Sequence, residues 1–197
     1  MYENKHISEP KWKSWIIQTT TPLFTPDQCN QIIASGRAQK PQPAQVGMGK
    51  PGGGTDTKKR ITTIGWIPFK EMGHMYHDLY KFIVKANENH FGFGDIRITE
   101  NAQFTEYPEG GFYDWHMDCD VNMQHEPPVR KISMTLLLND PAEFEGGELE
   151  IMAPGKYAAL KQGHAICFAS FLNHRVNTVK KGMRQSLVVW FGGKPFR

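Results

Sequence analysis

From residue 96 the chain reads Ile96-Arg97-Ile98-Thr99-Glu100-Asn101-Ala102-Gln103-Phe104-Thr105, and this stretch decides the fold class. Ile96, Ile98, Ala102 and Phe104 alternate with polar residues at a period of two, as one half-buried strand does. Later runs share the character: Ile132 to Leu138, Glu148 to Met152, Ala165 to Ala169 and Gln185 to Phe191. Turn-forming residues separate them, among them Asn139-Asp140-Pro141, Gly146-Gly147 and Lys181-Gly182.

Upstream the period is helical. Thr25 can cap a helix, Pro26 suits its first position and Gln28 completes a capping box. Cys29, Ile32 and Ile33 then form an apolar stripe before Gly36. A second helix is expected from about Phe69 to Asn87, where Met72, Met75, Tyr76, Leu79, Phe82, Ile83 and Ala86 recur at helical spacing. Its His74 and His77 have no acidic or cysteine partner at matching spacing and read as surface residues. Trp15 to Gln18 reads as a short strand. Two helices before many short strands give a mainly β fold with flanking helices, a sandwich or barrel.

The 197 residues suit a single domain, with helical support over about 1–95 and a β core over about 96–197. A net charge of +3 is too small to argue for a nucleic-acid partner. Cys29, Cys119 and Cys167 have no C-x-x-C spacing, so neither a disulfide framework nor a zinc knuckle is expected. Neither a secretory leader in Met1 to Trp15 nor a membrane span of roughly 18 apolar residues is visible. A cytoplasmic protein is the expectation. Residues 41–57, rich in Pro and Gly, break every period and read as a lid-like loop.

His116-Met117-Asp118 places an imidazole and a carboxylate on one side of an extended strand. Nitrogen and oxygen donors suit a borderline metal, and one more histidine makes a facial set that leaves coordination positions open. The pair alone is close to what chance supplies. His174 lies 56 residues beyond Asp118, and Arg184 follows ten residues later. A guanidinium is a planar fork for a carboxylate. On the last strand Arg184, Ser186, Val188 and Trp190 share one face, and Gln185, Leu187, Val189 and Phe191 share the other.

In this order Tyr107, Tyr113, His116, Asp118, Arg130, Gly146-Gly147-Glu148-Leu149, His174, Arg184 and Trp190 resemble the 2-oxoglutarate/Fe(II) oxygenases of the prolyl 4-hydroxylase-like branch, with PKHD-type hydroxylases nearest. The resemblance covers about residues 96–191. It implies a double-stranded β-helix, or jelly-roll, core, and a dioxygenase using Fe(II), 2-oxoglutarate, O2 and ascorbate. By position His116, Asp118 and His174 match the metal ligands and catalytic centre. Arg184 and Tyr107 match the residues that bind the cosubstrate, and Ser186 completes an Arg-x-Ser pair. Tyr113, Arg130 and Trp190 match positions that meet a peptide substrate. Tyr113 reads equally as a core aromatic and Arg130 as a strand-entry cation.

His164 stands where relatives carry Asp and reads as a turn residue, and Glu106 stands where Arg is common. A prolyl residue in a peptide or protein is the leading substrate class, with a free amino acid or small molecule as the nearest rival. An AlkB-like demethylase would need a second Arg at the place of Trp190. A cupin-like metal sensor would not need the Arg184 clamp.

Overall fold

The computed structural model describes residues 14–44, 56–119, 128–153 and 159–194. The chain enters through β1 (Ile16–Gln18), α1 (Pro26–Ala38), β2 (Gln42–Pro43), β3 (Arg60–Ile61), β4 (Thr63–Ile67) and α2 (Gly73–Ala86). The β core follows as β5 (Arg97–Ile98), β6 (Ala102–Tyr107), β7 (Phe112–His116), β8 (Val129–Leu137) and β9 (Phe144–Gly146). It closes with β10 (Leu149–Ile151), β11 (Ala165–Ala169), β12 (His174–Val176), β13 (Val179–Gly182) and β14 (Arg184–Gly193). The major sheet runs β1-β11-β8-β14-β6-β4-β2, with β5 also on β14, and the minor sheet runs β10-β12-β7-β3. This is a jelly roll: two mostly antiparallel sheets with side chains meeting between them.

Both helices lie on the outer face of the major sheet. α1 begins as expected, with Thr25 accepting from the Gln28 N–H and the Gln28 side chain accepting from the Thr25 N–H. Its buried Cys29 and Ile32 join Met75, Leu79 and Ile83 of α2 against Phe104, Ile132, Met134, Leu136, Leu187, Val189 and Phe191. Each such buried Leu, Ile or Phe contributes about 1.5–3 kcal/mol. Gly36 lets α1 approach closely, since a Cβ there would stand 2.2 Å from the Phe104 ring.

Three expectations change. The second helix starts at Gly73, because the chain first turns with Glu71 N–H donating to Pro68 O (3.0 Å), and it runs on into a π-turn over Asn87–Phe91. Residues 96–105 form two strands, since β5 and β6 pair with separate stretches of β14. The polar face of β6 is not solvated: Gln103 is 5% exposed and Thr105 is fully buried. It faces the interior between the sheets, so alternation there separates a dry core from a polar cavity. Residues 45–55, most of the expected lid, lie outside the described residues. His74 and His77 are exposed.

Candidate metal centre and cosubstrate cavity

The site is assembled mainly on the minor sheet. His174 of β12 pairs directly opposite His116, the last residue of β7. Asp118 lies just beyond the strand end, where its N–H donates to Ser170 O (3.0 Å). That bond takes over once β pairing stops, and it holds the carboxylate beside both rings. His174 Nε2 is 3.4 Å from Asp118 Oδ2, and His116 Nε2 is 3.8 Å from Oδ1. All three donor atoms lie within 4.8 Å of one another. Ligands on one face of an ion at ordinary bond lengths lie about 3 Å apart, so a small contraction would close the set.

Tautomers favour the same use. His116 Nδ1 faces Asp114 O (2.7 Å) and His174 Nδ1 faces Leu172 O (3.0 Å). A carbonyl accepts, so each Nδ1 carries the hydrogen and each Nε2 presents its lone pair to the shared point. Burial, then the neighbouring His174, pushes the His116 pKa down to about 4. Burial works to raise that of Asp118, but His174, His116 and the Ser133 hydroxyl outweigh it and hold the carboxyl below its usual range. Ser133 donates to Asp118 Oδ2 at 2.7 Å. Two imidazoles and one carboxylate form the nitrogen–oxygen donor set that suits Fe(II) with open positions.

A cavity of about 390 Å³ is lined by Leu137, Gly147, Glu148, Leu149, Ile166 and Arg184, and its Ile166 clusters with Phe168, whose ring centre is 4.6 Å from that of His174. Arg184 is 3% exposed and pairs directly opposite Tyr107, its guanidinium carbon 5.6 Å from the Tyr107 ring centre. No carboxylate among the described residues forms an ion pair with it. Burial lowers its pKa, opposed by Tyr107 and Glu148. Its Nη1 donates to Ser186 Oγ (2.9 Å), which also lies 2.6 Å from Thr105 Oγ1. Thr105 donates to Ser186 O (3.1 Å), so the Ser186 proton goes to Thr105 and its oxygen is left for Arg184.

At the other end Tyr113 stacks on His116 at 3.5 Å between ring centres. The Arg130 guanidinium lies 3.7 Å over the Trp190 ring and is paired through two bonds with Glu100. Strict alternation would put Tyr113 and His116 on opposite faces. A bulge prevents this: two steps on β12, from His174 to Val176, match three on β7, from His116 to Tyr113. A second bulge sits on β8, where Arg130 and Ile132 face the consecutive Gly192 and Phe191, and the slip turns Arg130 toward Trp190. His164 sits in a turn with Nδ1 near Thr19, away from the donor cluster, and Glu106 faces α1 and holds Arg37. Ser133, Thr105, Glu100, Arg60 and Gln103 were not singled out from sequence. Only the polar alternation of 96–105 signalled any of them.

A jelly roll carrying a two-histidine, one-carboxylate cluster and a buried arginine has the donor set that a non-haem iron with a carboxylate ligand would use. Residues 102–192 match the family model of the 2OG-Fe(II) oxygenase superfamily. A PKHD-type hydroxylase of Psychrobacter sp. (strain PRwf-1) is 38% identical over 94 residues, 44% of this chain and 36% of that protein. The match thus spans less than half the length of that curated relative. A Pseudomonas putida prolyl-4-hydroxylase shares the fold at a TM-score of 0.68 and 22% identity, covering 92% of this chain and 94% of that one. The viral collagen prolyl hydroxylase of Paramecium Bursaria Chlorella virus-1, solved as a 2OG complex, aligns at a TM-score of 0.71 and 18% identity, covering 91% and 97%. Among the described residues no helix is long and apolar enough to cross a membrane.

Proposed function

We propose that the protein is a 2-oxoglutarate- and Fe(II)-dependent dioxygenase that hydroxylates a prolyl residue in a peptide or protein. One observation carries the reading: His116, Asp118 and His174 form a donor cluster, and the cavity that Ile166 and Phe168 connect to His174 ends on Arg184, a buried cation with no ion-pair partner among the described residues. His116 and His174 would hold iron through Nε2, and Asp118 through a carboxylate oxygen. Arg184 takes the far carboxylate of 2-oxoglutarate as a two-bond fork, with Tyr107 beside it. Ser186, held by Thr105, positions the guanidinium. When bound, iron, 2-oxoglutarate and O2 supply the oxidation, releasing succinate and CO2 as the substrate gains a hydroxyl.

The chain's own tasks are narrower. Backbone carbonyls accept from both Nδ1 atoms and aim each Nε2 at the shared point, Ser133 fixes the carboxylate, and Leu137, Leu149 and Ile166 keep the cavity dry. Tyr113, Arg130 and Trp190 form the rim where the substrate is seated. Support for a prolyl substrate comes from the names of the relatives and from this aromatic, cationic rim. Support for the cytoplasm comes from cysteine usage that builds no disulfide framework.

Anaerobic Fe(II) plus 2-oxoglutarate should give a weak visible charge-transfer band, and admitting O2 should give succinate. Mass spectrometry of a peptide library should then show 2-oxoglutarate-dependent gain of one oxygen at proline. A folded protein giving neither band nor succinate would instead be a metal-holding sensor.

A further inference from the structure

Arg37, Arg130 and Arg175 each hold a carboxylate, of Glu106, Glu100 and Glu150 respectively, and Arg97 is exposed. Two arginines are buried and have no carboxylate among the described residues: Arg184, used above, and Arg60, which is 8% exposed. Arg60 comes from β3, on the edge of the minor sheet, and reaches across to Gln103 of the major sheet, its Nη2 donating to Gln103 Oε1 (3.1 Å). Its guanidinium carbon sits 4.3 Å over the Tyr113 ring, which in turn stacks on His116. Arg60, Tyr113 and His116 are therefore successive layers, and the cation stands one aromatic ring away from the metal centre.

Neither neighbour neutralises it. An amide oxygen and a ring face carry no net charge, and a buried cation without an anion is unfavourable. The Arg60 Nε has no hydrogen-bond partner among the described residues. The same is true of Trp190 Nε1, on a residue only 5% exposed. Trp190 lies one step along the inner face of β14 from Val188, which pairs with Gln103. Two unsatisfied buried donors, one of them charged, thus flank Gln103 on the substrate side of the iron site. Trp66, opposite Gln103 on β4 and 39% exposed, stands 6.0 Å from the Trp190 ring.

We infer that Arg60, with Gln103 and the Trp190 indole, is a second carboxylate site, and that the substrate carries a carboxylate close to the carbon that is oxidised. The inference rests on the oxygenase reading and narrows its substrate class to an acid: a terminal α-carboxylate or an acidic side chain next to the target residue. A planar anion with two oxygens satisfies both orphan donors and the charge together. A peptide carbonyl satisfies one donor and leaves the charge.

Binding tests this without turnover. Wild-type protein loaded with Zn(II) and 2-oxoglutarate is titrated calorimetrically with two matched pairs, N-acetyl-proline against N-acetyl-prolinamide, and acetyl-Asp-Pro-amide against acetyl-Asn-Pro-amide. At least a tenfold preference for the acid in one pair is expected, and the pair that shows it identifies the carboxylate's source. The preference should collapse in Arg60→Met and partly return in Arg60→Lys. Gln103→Glu, close to isosteric, supplies an internal anion; it should abolish the preference and raise the melting temperature. Acid-to-amide ratios within twofold in both pairs, no binding by any probe, or a preference that survives Arg60→Met and Gln103→Glu would overturn the proposal. Loss of the iron and 2-oxoglutarate absorption band in the wild type would instead overturn the oxygenase reading.

Discussion

Replacing Arg184 by Met separates a binding cation from a structural one. Arg184 is 3% exposed, and its one side-chain hydrogen bond among the described residues is to Ser186, with no carboxylate in ion-pair range. A buried charge without an anion adds little to folding, and an apolar side chain of similar volume is often neutral or stabilising. The metal-bound but cosubstrate-free variant should therefore melt within about 2 °C of wild type or above it. Cosubstrate binding should behave in the opposite way. Saturating the wild type at a hundred times Kd adds about 2.7 kcal/mol, which for a chain of this size raises Tm by about 5–11 °C. Removing one partner of a buried ion pair costs about 3–5 kcal/mol, equivalent to a loss of affinity between about a hundredfold and several thousandfold. At the same 2-oxoglutarate concentration the shift in Arg184→Met should vanish. Thermal melts with Mn(II) as a redox-silent metal, with and without 2-oxoglutarate, read both quantities. A variant that unfolds early, or that keeps the full shift, would refute the placement of the far carboxylate on Arg184.

Ser186→Ala should act through the arginine. It leaves Nη1 without its acceptor, a penalty of about 1–3 kcal/mol, so KM for 2-oxoglutarate should rise well beyond any fall in kcat, and Thr105→Val should do the same more mildly. An unchanged KM in steady-state succinate assays would remove that role. Gly147→Ala places a Cβ 2.8 Å from Arg184 Cδ at a φ of +68°, so it should weaken 2-oxoglutarate binding while iron binding, read by metal titration, holds. The His116 pKa is depressed to about 4 from 6.5, so between those values the unfolded chain binds more protons than the folded one. Metal-free protein should keep this stability above pH 6.5 and lose on the order of 3 kcal/mol as pH falls toward 4. A His116→Gln variant should lack that slope in denaturant titrations, and an equal slope would place its origin elsewhere.

The first helix, the β character of the second half and the face assignment of β14 were all legible in the sequence, because each follows from period and capping chemistry. The structure brings His116, Asp118 and His174 together and puts Arg184 in the adjoining cavity. The rim was legible only through the resemblance. Period-two reading puts Tyr113 opposite to His116 and Arg130 opposite to Ser133, and in each case a bulge brings the pair onto one face. Such a slip leaves no mark on composition or alternation. Arg60 was hidden for another reason: it ends the run Lys58-Lys59-Arg60 beside a loop, which reads as a solvated cationic turn. Only the β3–β7 pairing shows that it turns inward.

β14 shows why function and stability can be changed separately in this fold. Leu187, Val189 and Phe191 are fully buried on its outer face, under both helices, and supply hydrophobic stabilisation. Arg184, Ser186 and Trp190 on its inner face are nearly as buried, yet among the described residues the cation has no ion-pair partner and the indole N–H no acceptor. Neighbouring strands repeat the division, with Phe104 outside and Gln103 and Thr105 inside on β6, and Met134 outside and Ser133 and Thr135 inside on β8. A fold selected for stability alone would fill the inner face with apolar side chains. Here two buried guanidiniums, Arg60 and Arg184, have no ion-pair partner among the described residues, and the anionic ligands proposed at the two ends of the inner face would supply one to each. Ligand-induced stabilisation should therefore be large at both ends, additive where Arg60 and Arg184 do not share a ligand, and absent from any substitution confined to the outer face.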